Sequence, residues 1–284
     1  MKVFYDKRQS VSENDSFSPS AGKPGLVLKA WMALGLPLEV SSFTPASIAD
    51  LSLAHSQDYV LGVLLGRQAN GFGNTSEAIA DSLPWTTGSF VAAAQYAVET
   101  GNPAASLTSG FHHAGFENGG GFCTFNGLMV AAQVLKKEGL VKKVGVCDLD
   151  AHFGNGSENI IRERKLDYIE HYTFGAEGIR PENAEQWIKD LPGIILNTFK
   201  DCDALLYQAG ADPHINDPLG GSLSTEQMRK RDQIVFETCK RMNLPVAFNL
   251  AGGYQTPIEK VLELHNNTAI QCVIAYEETK KEAA

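Results

Sequence analysis

Cysteines, basic residues and long apolar runs are all scarce in this sequence. Its five cysteines are odd in number, scattered and free of any CxxC pair, which argues against a disulfide framework and for reduced thiols. With 24 basic against 33 acidic residues the formal charge is −9, so the clustered positive charge that nucleic-acid binding needs is missing. No run approaches the roughly 18 apolar residues of a membrane span, and the N-terminal stretch MKVFYDKRQS lacks the apolar segment of a signal peptide. We therefore expect a cytoplasmic protein whose partners include neither a membrane nor a nucleic acid.

Two common catalytic motifs are also absent. The glycine-rich stretch NGGGF at 118–122 is not part of a GxxxxGK[ST] phosphate-binding loop, so it does not indicate a nucleotide site. No GxSxG turn is present, which excludes the nucleophile elbow of the serine hydrolases. The chemistry of this chain must therefore come from other residues.

Apolar runs and helical patterns alternate along most of the 284 residues. With 43% hydrophobic residues the chain can bury a full core, and the alternation favours an α/β fold: a mostly parallel central sheet with helices on both faces. We expect a single domain spanning 1–284. Strands are predicted at 2–6, 104–109, 143–149, 166–171, 203–210, 245–252 and 269–276. Helices are predicted near 20–35, twice within 45–66, at 87–101 after an interruption at Pro84, and at 125–139, 157–164, 182–199, 224–242 and 258–262.

The segment VGVCDLDAHFGNG at 144–156 carries the clearest chemical signal. Side chains alternate faces along an extended chain, so Asp148, Asp150 and His152 are predicted to point the same way. Burying two carboxylates and an imidazole together is costly unless something pairs their charges. A metal ion would do so.

Polar residues follow three further predicted strands. They are the adjacent pair His112–His113, then Asp212, then Tyr254 in a GGY turn. Taken alone, a strand-end aspartate or a GGY turn is common and adjacent histidines can arise by chance, but parallel sheets bind ligands beyond the carboxyl ends of their strands, where all four clusters fall. A catalytic zinc needs three protein ligands and one open position, which Asp150, His152 and Asp212 would supply. Such a donor set also suits Fe²⁺.

Four ordered segments resemble the signature segments of the histone deacetylase superfamily. They are SGFHHAGFENGGGFCTFNGLMVAA, VCDLDAHFGNG, QAGADPHINDPLG and LAGGYQ, and the resemblance extends over at least residues 104–256. The superfamily comprises zinc-dependent amidohydrolases of acyl-lysine and acylpolyamines with the arginase–deacetylase fold. The GNG form of the second segment is similar to class IV deacetylases and their bacterial relatives.

The resemblance implies a role for each matched residue. Asp150, His152 and Asp212 would be the zinc ligands. The residues implied in catalysis are His113 as general base and then acid, His112 paired with Asp148 as its electrostatic neighbour, and Tyr254 as donor to the scissile carbonyl. The residues implied in holding substrate are Gly121 through its backbone, Phe122 along the tunnel wall, and Leu219. Asn155, where many relatives have an aspartate, would support His113 and raise its pKa less than an aspartate would.

The same resemblance implies a class of substrate. We expect deacylation of an acylated amine, with acyl-lysine in a protein first and an acetylated polyamine or another small amide as the alternative. A non-catalytic binding module of the same fold is a third interpretation, and the pattern specifies no oligomeric state. Residues 167–175 depart from the serine-bearing segment that helps relatives hold K⁺ near Asp148, so the resemblance leaves that second cation open.

Overall fold

The structure is a computed structural model, and it describes residues 1–12 and 16–282. Seven short strands form its central sheet. They are β1 (Lys2–Phe4), β2 (Glu39–Ser41), β3 (Ala104–Ser106), β4 (Val144–Asp148), β5 (Ile169–Thr173), β6 (Ala204–Gln208) and β7 (Val246–Asn249). Every pairing is parallel, and the strand order is β2-β1-β3-β7-β6-β4-β5. The predicted parallel α/β sheet is confirmed.

Nine α-helices within the described residues cover the two faces of this sheet. They are α1 (Lys23–Ala33), α2 (Ile48–Ala54), α3 (Gln57–Leu64), α4 (Glu77–Thr100), α5 (Gly127–Lys137), α6 (Asn155–Arg164), α7 (Ala184–Phe199), α8 (Thr225–Met242) and α9 (Glu259–Glu282). Serine side chains accept the first free backbone amides of several of them, including Ser47 at α2 and Ser224 at α8.

Alternating strand residues separate two apolar cores. In β6, Ala204 and Leu206 face the core formed with α2 to α6, whereas Leu205 and Tyr207 face the core formed with α1, α7, α8 and α9. Both faces of the sheet are therefore buried, which is the usual state of a parallel sheet.

The prediction that Pro84 interrupts the chain is wrong, because α4 continues through it. A proline inside a helix removes one hydrogen bond and costs about 3 kcal/mol. The helix nevertheless buries Leu83, Phe90 and Ala94, and the Pro84 carbonyl accepts a hydrogen bond from the Ala46 amide at 2.9 Å. Burial of the helix face outweighs the missing bond.

The strand predicted at 269–276 is also wrong, because these residues lie in α9. A short apolar run does not distinguish a strand from a buried helix. The buried residues Ala269, Cys272 and Val273 recur at helical spacing, and α9 packs against α8 and α1 rather than beside a strand. The short edge strand β2 was not predicted, since its three residues are largely exposed and carry no apolar pattern.

The strand order explains where the polar clusters meet. The strands β3, β7, β6 and β4 are consecutive neighbours in the middle of the sheet. Because they are parallel, their carboxyl ends lie along one edge, and the loops after them form a single surface.

Among the described residues, no helix is sufficiently long and apolar to cross a membrane.

Candidate active site

Side chains from the ends of β4 and β6 converge on one point. Asp150 and His152 lie in the loop after β4, and Asp212 lies in the loop after β6. The Nδ1 atom of His152 is 3.0 Å from Asp150 Oδ1 and 3.2 Å from Asp212 Oδ2. One potential ligand atom from each of the three residues lies within 4.8 Å of the others.

Tight turns orient the side chains of Asp150 and His152. The sequence had predicted that an extended strand would orient them. The strand β4 stops at Asp148, whose Oδ1 accepts the Asp150 amide at 3.2 Å. In turn, Asp150 Oδ1 accepts the His152 amide at 3.0 Å. An aspartate that bonds the amide two residues onward closes a local turn. Two such turns in succession place Asp150 and His152 together although the strand has ended.

The convergent donors fit a divalent metal ion. Asp212 is fully buried, its Oδ1 accepts the Ala151 amide at 3.0 Å, and its Oδ2 makes no hydrogen bond. Burial and the neighbouring Asp150 charge raise the pKa of Asp212 above its usual range. A buried carboxylate oxygen without a partner is costly, and a divalent cation held between the two carboxylates and His152 would satisfy it.

The adjacent histidines His112 and His113 occupy opposite electrostatic environments. His112 Nδ1 lies 2.6 Å from Asp148 Oδ2. Burial disfavours its charged form, but the Asp148 and Asp150 carboxylates outweigh burial and raise the pKa of His112 to about 9. His113 Nδ1 instead lies 2.6 Å from Asn155 Oδ1, and burial together with the His112 charge lowers its pKa. The pKa values of the two neighbouring imidazoles are therefore displaced in opposite directions.

The turn after β7 brings Tyr254 to the same surface. Its amide donates to Asp217 Oδ2 at 2.7 Å, which fixes the turn. Gly252 has φ +56°, and a Cβ there would lie 2.4 Å from Asp212 Oδ2, so only glycine allows the turn to pass this close to the site. Burial raises the pKa of the Tyr254 hydroxyl, which keeps the proton on it.

These groups open into one cavity of about 160 Å³. Its lining includes eight of the residues predicted from the sequence: His112, His113, Gly121, Phe122, Asp150, His152, Leu219 and Tyr254. The other three lie directly behind it: Asp148 on His112, Asn155 on His113 and Asp212 beside His152. All eleven predicted site residues are therefore brought together.

Four aromatic rings pack together at one side of this cavity, and two of them, Phe122 and Tyr254, line it. The rings of Phe122 and Tyr254 have centroids 5.7 Å apart, and Phe72 lies 5.7 Å from Phe122. Phe17, which the sequence did not single out, lies edge-on to Phe122 at 5.2 Å while 76% of its surface stays exposed. We call Phe17, Phe72, Phe122 and Tyr254 the aromatic rim. Sequence analysis missed Phe17 because it lies far from the motifs, in the loop before α1.

Two buried cations lie near the carboxylates and were also missed. Lys23, at the start of α1, donates through Nζ to the Gly252 carbonyl. Its burial lowers its pKa to about 8, although Asp212 and Asp150 oppose that effect. Arg231 lies within α8 and is 1% exposed. In the sequence these residues belong to ordinary charged helix segments, so no pattern marks them as buried.

Known proteins resemble this chain over most of its length. Residues 25–175 and 175–269 match the histone deacetylase domain. A probable deacetylase of Methanothermobacter thermautotrophicus is 25% identical over 289 residues, covering 89% of this chain and 86% of the relative. Histone deacetylase 2 of Arabidopsis thaliana is 28% identical over 194 residues, which are 62% of this chain and only 50% of that protein.

A solved structure shows the same fold. The acetylpolyamine aminohydrolase of Burkholderia pseudomallei superposes with a TM-score of 0.77 over 97% of this chain and 99% of that chain, at 17% identity. That likeness confirms the predicted arginase–deacetylase-like fold. Taken with the family match over most of its length, it shows that this chain belongs to the histone deacetylase family of deacetylase hydrolases.

Proposed function

We propose that this chain is a zinc-dependent amidohydrolase that removes the acyl group from acyl-lysine side chains of proteins, with residues 1–284 acting as one catalytic domain. The observation that carries the proposal is the convergence of the buried Asp212 Oδ2, which accepts no hydrogen bond, and Asp150 Oδ1 on His152 Nδ1, at 3.2 and 3.0 Å, beside two histidines whose pKa values are displaced in opposite directions. Amide hydrolysis needs a polarised carbonyl, an activated water and a proton for the departing amine.

Asp150, His152 and Asp212 would hold the zinc ion. When bound, zinc supplies a Lewis acid for the scissile carbonyl and lowers the pKa of the attacking water. Two carboxylate donors nearly cancel the charge of the ion, so the site makes zinc a weaker Lewis acid than a set of three histidines would. A hydrogen bond from the protein to the carbonyl oxygen of the substrate therefore becomes important.

His113 is the proposed general base. Asn155 offers its side-chain oxygen to His113 Nδ1, so Nδ1 carries the proton and Nε2 is free to accept one from the attacking water. Burial and the charged His112 lower the pKa of His113, which keeps Nε2 unprotonated near neutral pH. After accepting the proton, His113 returns it to the departing lysine amine.

Tyr254 is the proposed donor to the carbonyl oxygen. Its hydroxyl stays protonated because burial raises its pKa, and it lines the same cavity as Asp150 and His152. A donor aimed at the oxygen that gains charge in the transition state is worth about a hundredfold or more in rate. Gly121 and Phe122 would hold the substrate amide and the aliphatic chain, with Leu219 on the facing wall.

The charges around the cavity favour lysine over a polyamine. Among the residues that the structure describes, which leave out 13–15, its lining contains one carboxylate, the proposed ligand Asp150. The nearby Asp217 already accepts the Tyr254 amide at 2.7 Å and the Leu219 amide at 3.0 Å. A polyamine carries further ammonium groups that need partners when they lose water. The aliphatic chain of an acyl-lysine needs only the apolar passage. The Burkholderia relative is named for the alternative substrate, which the test below therefore includes.

The test is release of carboxylate from three substrates: an acetyl-lysine peptide, a long-chain acyl-lysine peptide and an acetylated polyamine. Each is measured with the zinc-loaded protein, after chelation, and after zinc is restored. We expect turnover of an acyl-lysine peptide that the chelator abolishes and zinc restores. Tyr254→Phe is the matched variant: it removes one hydroxyl and should retain zinc while kcat falls by about a hundredfold or more. Preferred turnover of the polyamine would overturn the substrate assignment. No turnover with zinc bound would favour the binding module.

A further inference from the structure

Arg231 connects the two loops that carry the carboxylates of the site. Its Nη1 donates to the Leu149 carbonyl at 3.1 Å and to the Gly210 carbonyl at 2.7 Å. Leu149 immediately precedes Asp150, and Gly210 lies two residues before Asp212. A single guanidinium nitrogen therefore joins the ends of the neighbouring strands β4 and β6.

The two loops are unusually close at this point. A Cβ on Gly210 would lie 2.5 Å from the Asp150 Cα, so the loops approach as nearly as backbone atoms allow. Leu149 and Asp212 are fully buried, and water cannot replace a donor that is lost there. Besides the direct bond from the Ala151 amide to Asp212 Oδ1, the two loops are therefore joined through Arg231 from the side of α8.

Asp232 fixes the guanidinium in this position. Its Oδ1 accepts Arg231 Nε at 2.8 Å and also accepts the Tyr207 hydroxyl. Its Oδ2 accepts Thr268 Oγ1 at 2.6 Å. Charge-assisted bonds in a buried setting are stronger than neutral ones, and the paired aspartate compensates the buried guanidinium charge. The network thus runs from α9 through α8 to the loops of the site.

We propose that Arg231 is a positioning residue that sets the separation of Asp150 and Asp212 and thereby the affinity of the site for its metal. This inference rests on the proposed function, because it takes these residues to be ligands. Partners that orient metal ligands typically change metal affinity or activity by about 10- to 100-fold when they are removed. A residue that only stabilised the core would change the free energy of unfolding without changing zinc binding.

The test compares Arg231→Gln with Thr268→Val. Thr268→Val removes one buried hydrogen bond to Asp232 but leaves both carbonyls bound to Arg231, so it is the matched control. Zinc affinity is measured by competition with a chromophoric chelator, and the free energy of unfolding is measured on the metal-free proteins. For Arg231→Gln we expect zinc affinity to fall by about 10- to 100-fold and kcat to fall at saturating zinc with KM nearly unchanged. For Thr268→Val we expect lower stability and zinc affinity within about twofold of the original protein.

Arg231→Lys keeps the buried charge but has one compact donor group instead of a planar fork. We expect its zinc affinity to lie between those of the original protein and Arg231→Gln, and it carries the test if Arg231→Gln does not fold. Original zinc affinity in either folded Arg231 variant would overturn the inference while leaving the proposed function intact. Failure of the original protein to bind zinc would overturn the proposed function itself. If the original protein binds zinc but shows no turnover, the proposed role of Arg231 in metal binding stands and the proposed catalytic function does not.

Discussion

The buried inner end of the cavity, which we call its floor, and the exposed outer end, which we call its mouth, are built from different kinds of side chain. At the floor, Asp148, Asp150 and Asp212 are buried, and hydrogen bonds or buried cations accompany each of them. At the mouth, Leu219 is 41% exposed, and Phe17, which is 76% exposed, packs edge-on against Phe122. Electrostatic interactions are strong where water is excluded and weak where it is not. The floor is therefore suited to bond cleavage, and the mouth to selecting the chain that reaches it.

The largest expected effect tests the floor. His113→Ala removes the proposed general base while leaving the three donors Asp150, His152 and Asp212 in place. We expect kcat on an acyl-lysine peptide to fall by about 10²- to 10⁴-fold, which is the usual contribution of general acid–base catalysis. Zinc affinity, measured by chelator competition, is the control and should stay within a fewfold of the original. A loss of kcat below tenfold would assign the proton transfer to another group.

The second prediction changes the charge beside His113 and leaves His113 itself in place. Asn155→Asp places a carboxylate 2.6 Å from His113 Nδ1 if the geometry is kept, and a nearby negative charge raises the pKa of an imidazole. His113 acts as a base only when it is neutral, so a higher pKa removes the active form at a higher pH. We expect the acidic limb of the kcat/KM profile to move upward by about one pH unit or more.

Asn155→Ala is the control for that shift, because it removes the acceptor without adding charge. It should lower the rate without moving the acidic limb upward. The charges that already face His113 come from His112, Asp150 and His152, and both variants retain them. An unchanged profile in Asn155→Asp would mean that His113 does not set the acidic limb.

The smallest expected effect tests the mouth. Phe17→Ala removes an exposed ring that contacts Phe122 edge-on and lies 6.5 Å from Tyr254. We expect the Phe17 ring to make a contact of the same kind with the bound peptide, worth about 0.5–1.5 kcal/mol, so KM for an acyl-lysine peptide should rise roughly two- to tenfold. The value of kcat should stay within about twofold, since Phe17 touches no reacting group. Met32→Ala removes a similarly exposed apolar side chain that lies on α1, outside the aromatic rim, and should change neither constant. A fall in kcat with KM unchanged would place Phe17 in the chemistry of the floor.

The sequence by itself determined the parallel α/β architecture and the meeting of the polar clusters that follow its strands. Alternating strands and helices lead to a parallel sheet, and the carboxyl ends of parallel strands share one edge. Clusters near Asp150, Asp212 and Tyr254 that are far apart in the chain therefore had to meet. The placement of each cluster immediately after an apolar run was enough to predict this.

Only the tertiary structure decided the contacts between distant segments. The helix through Pro84 and the helical state of 269–276 depend on the surfaces against which they pack, because local propensity is weaker than the burial of a whole helix face. The same holds for Phe17 over the mouth and for Lys23 and Arg231 near the floor. Lys and Arg on a helix are ordinarily solvated, so a buried cation can be recognised only once the carbonyls and carboxylates around it have been brought together by the fold.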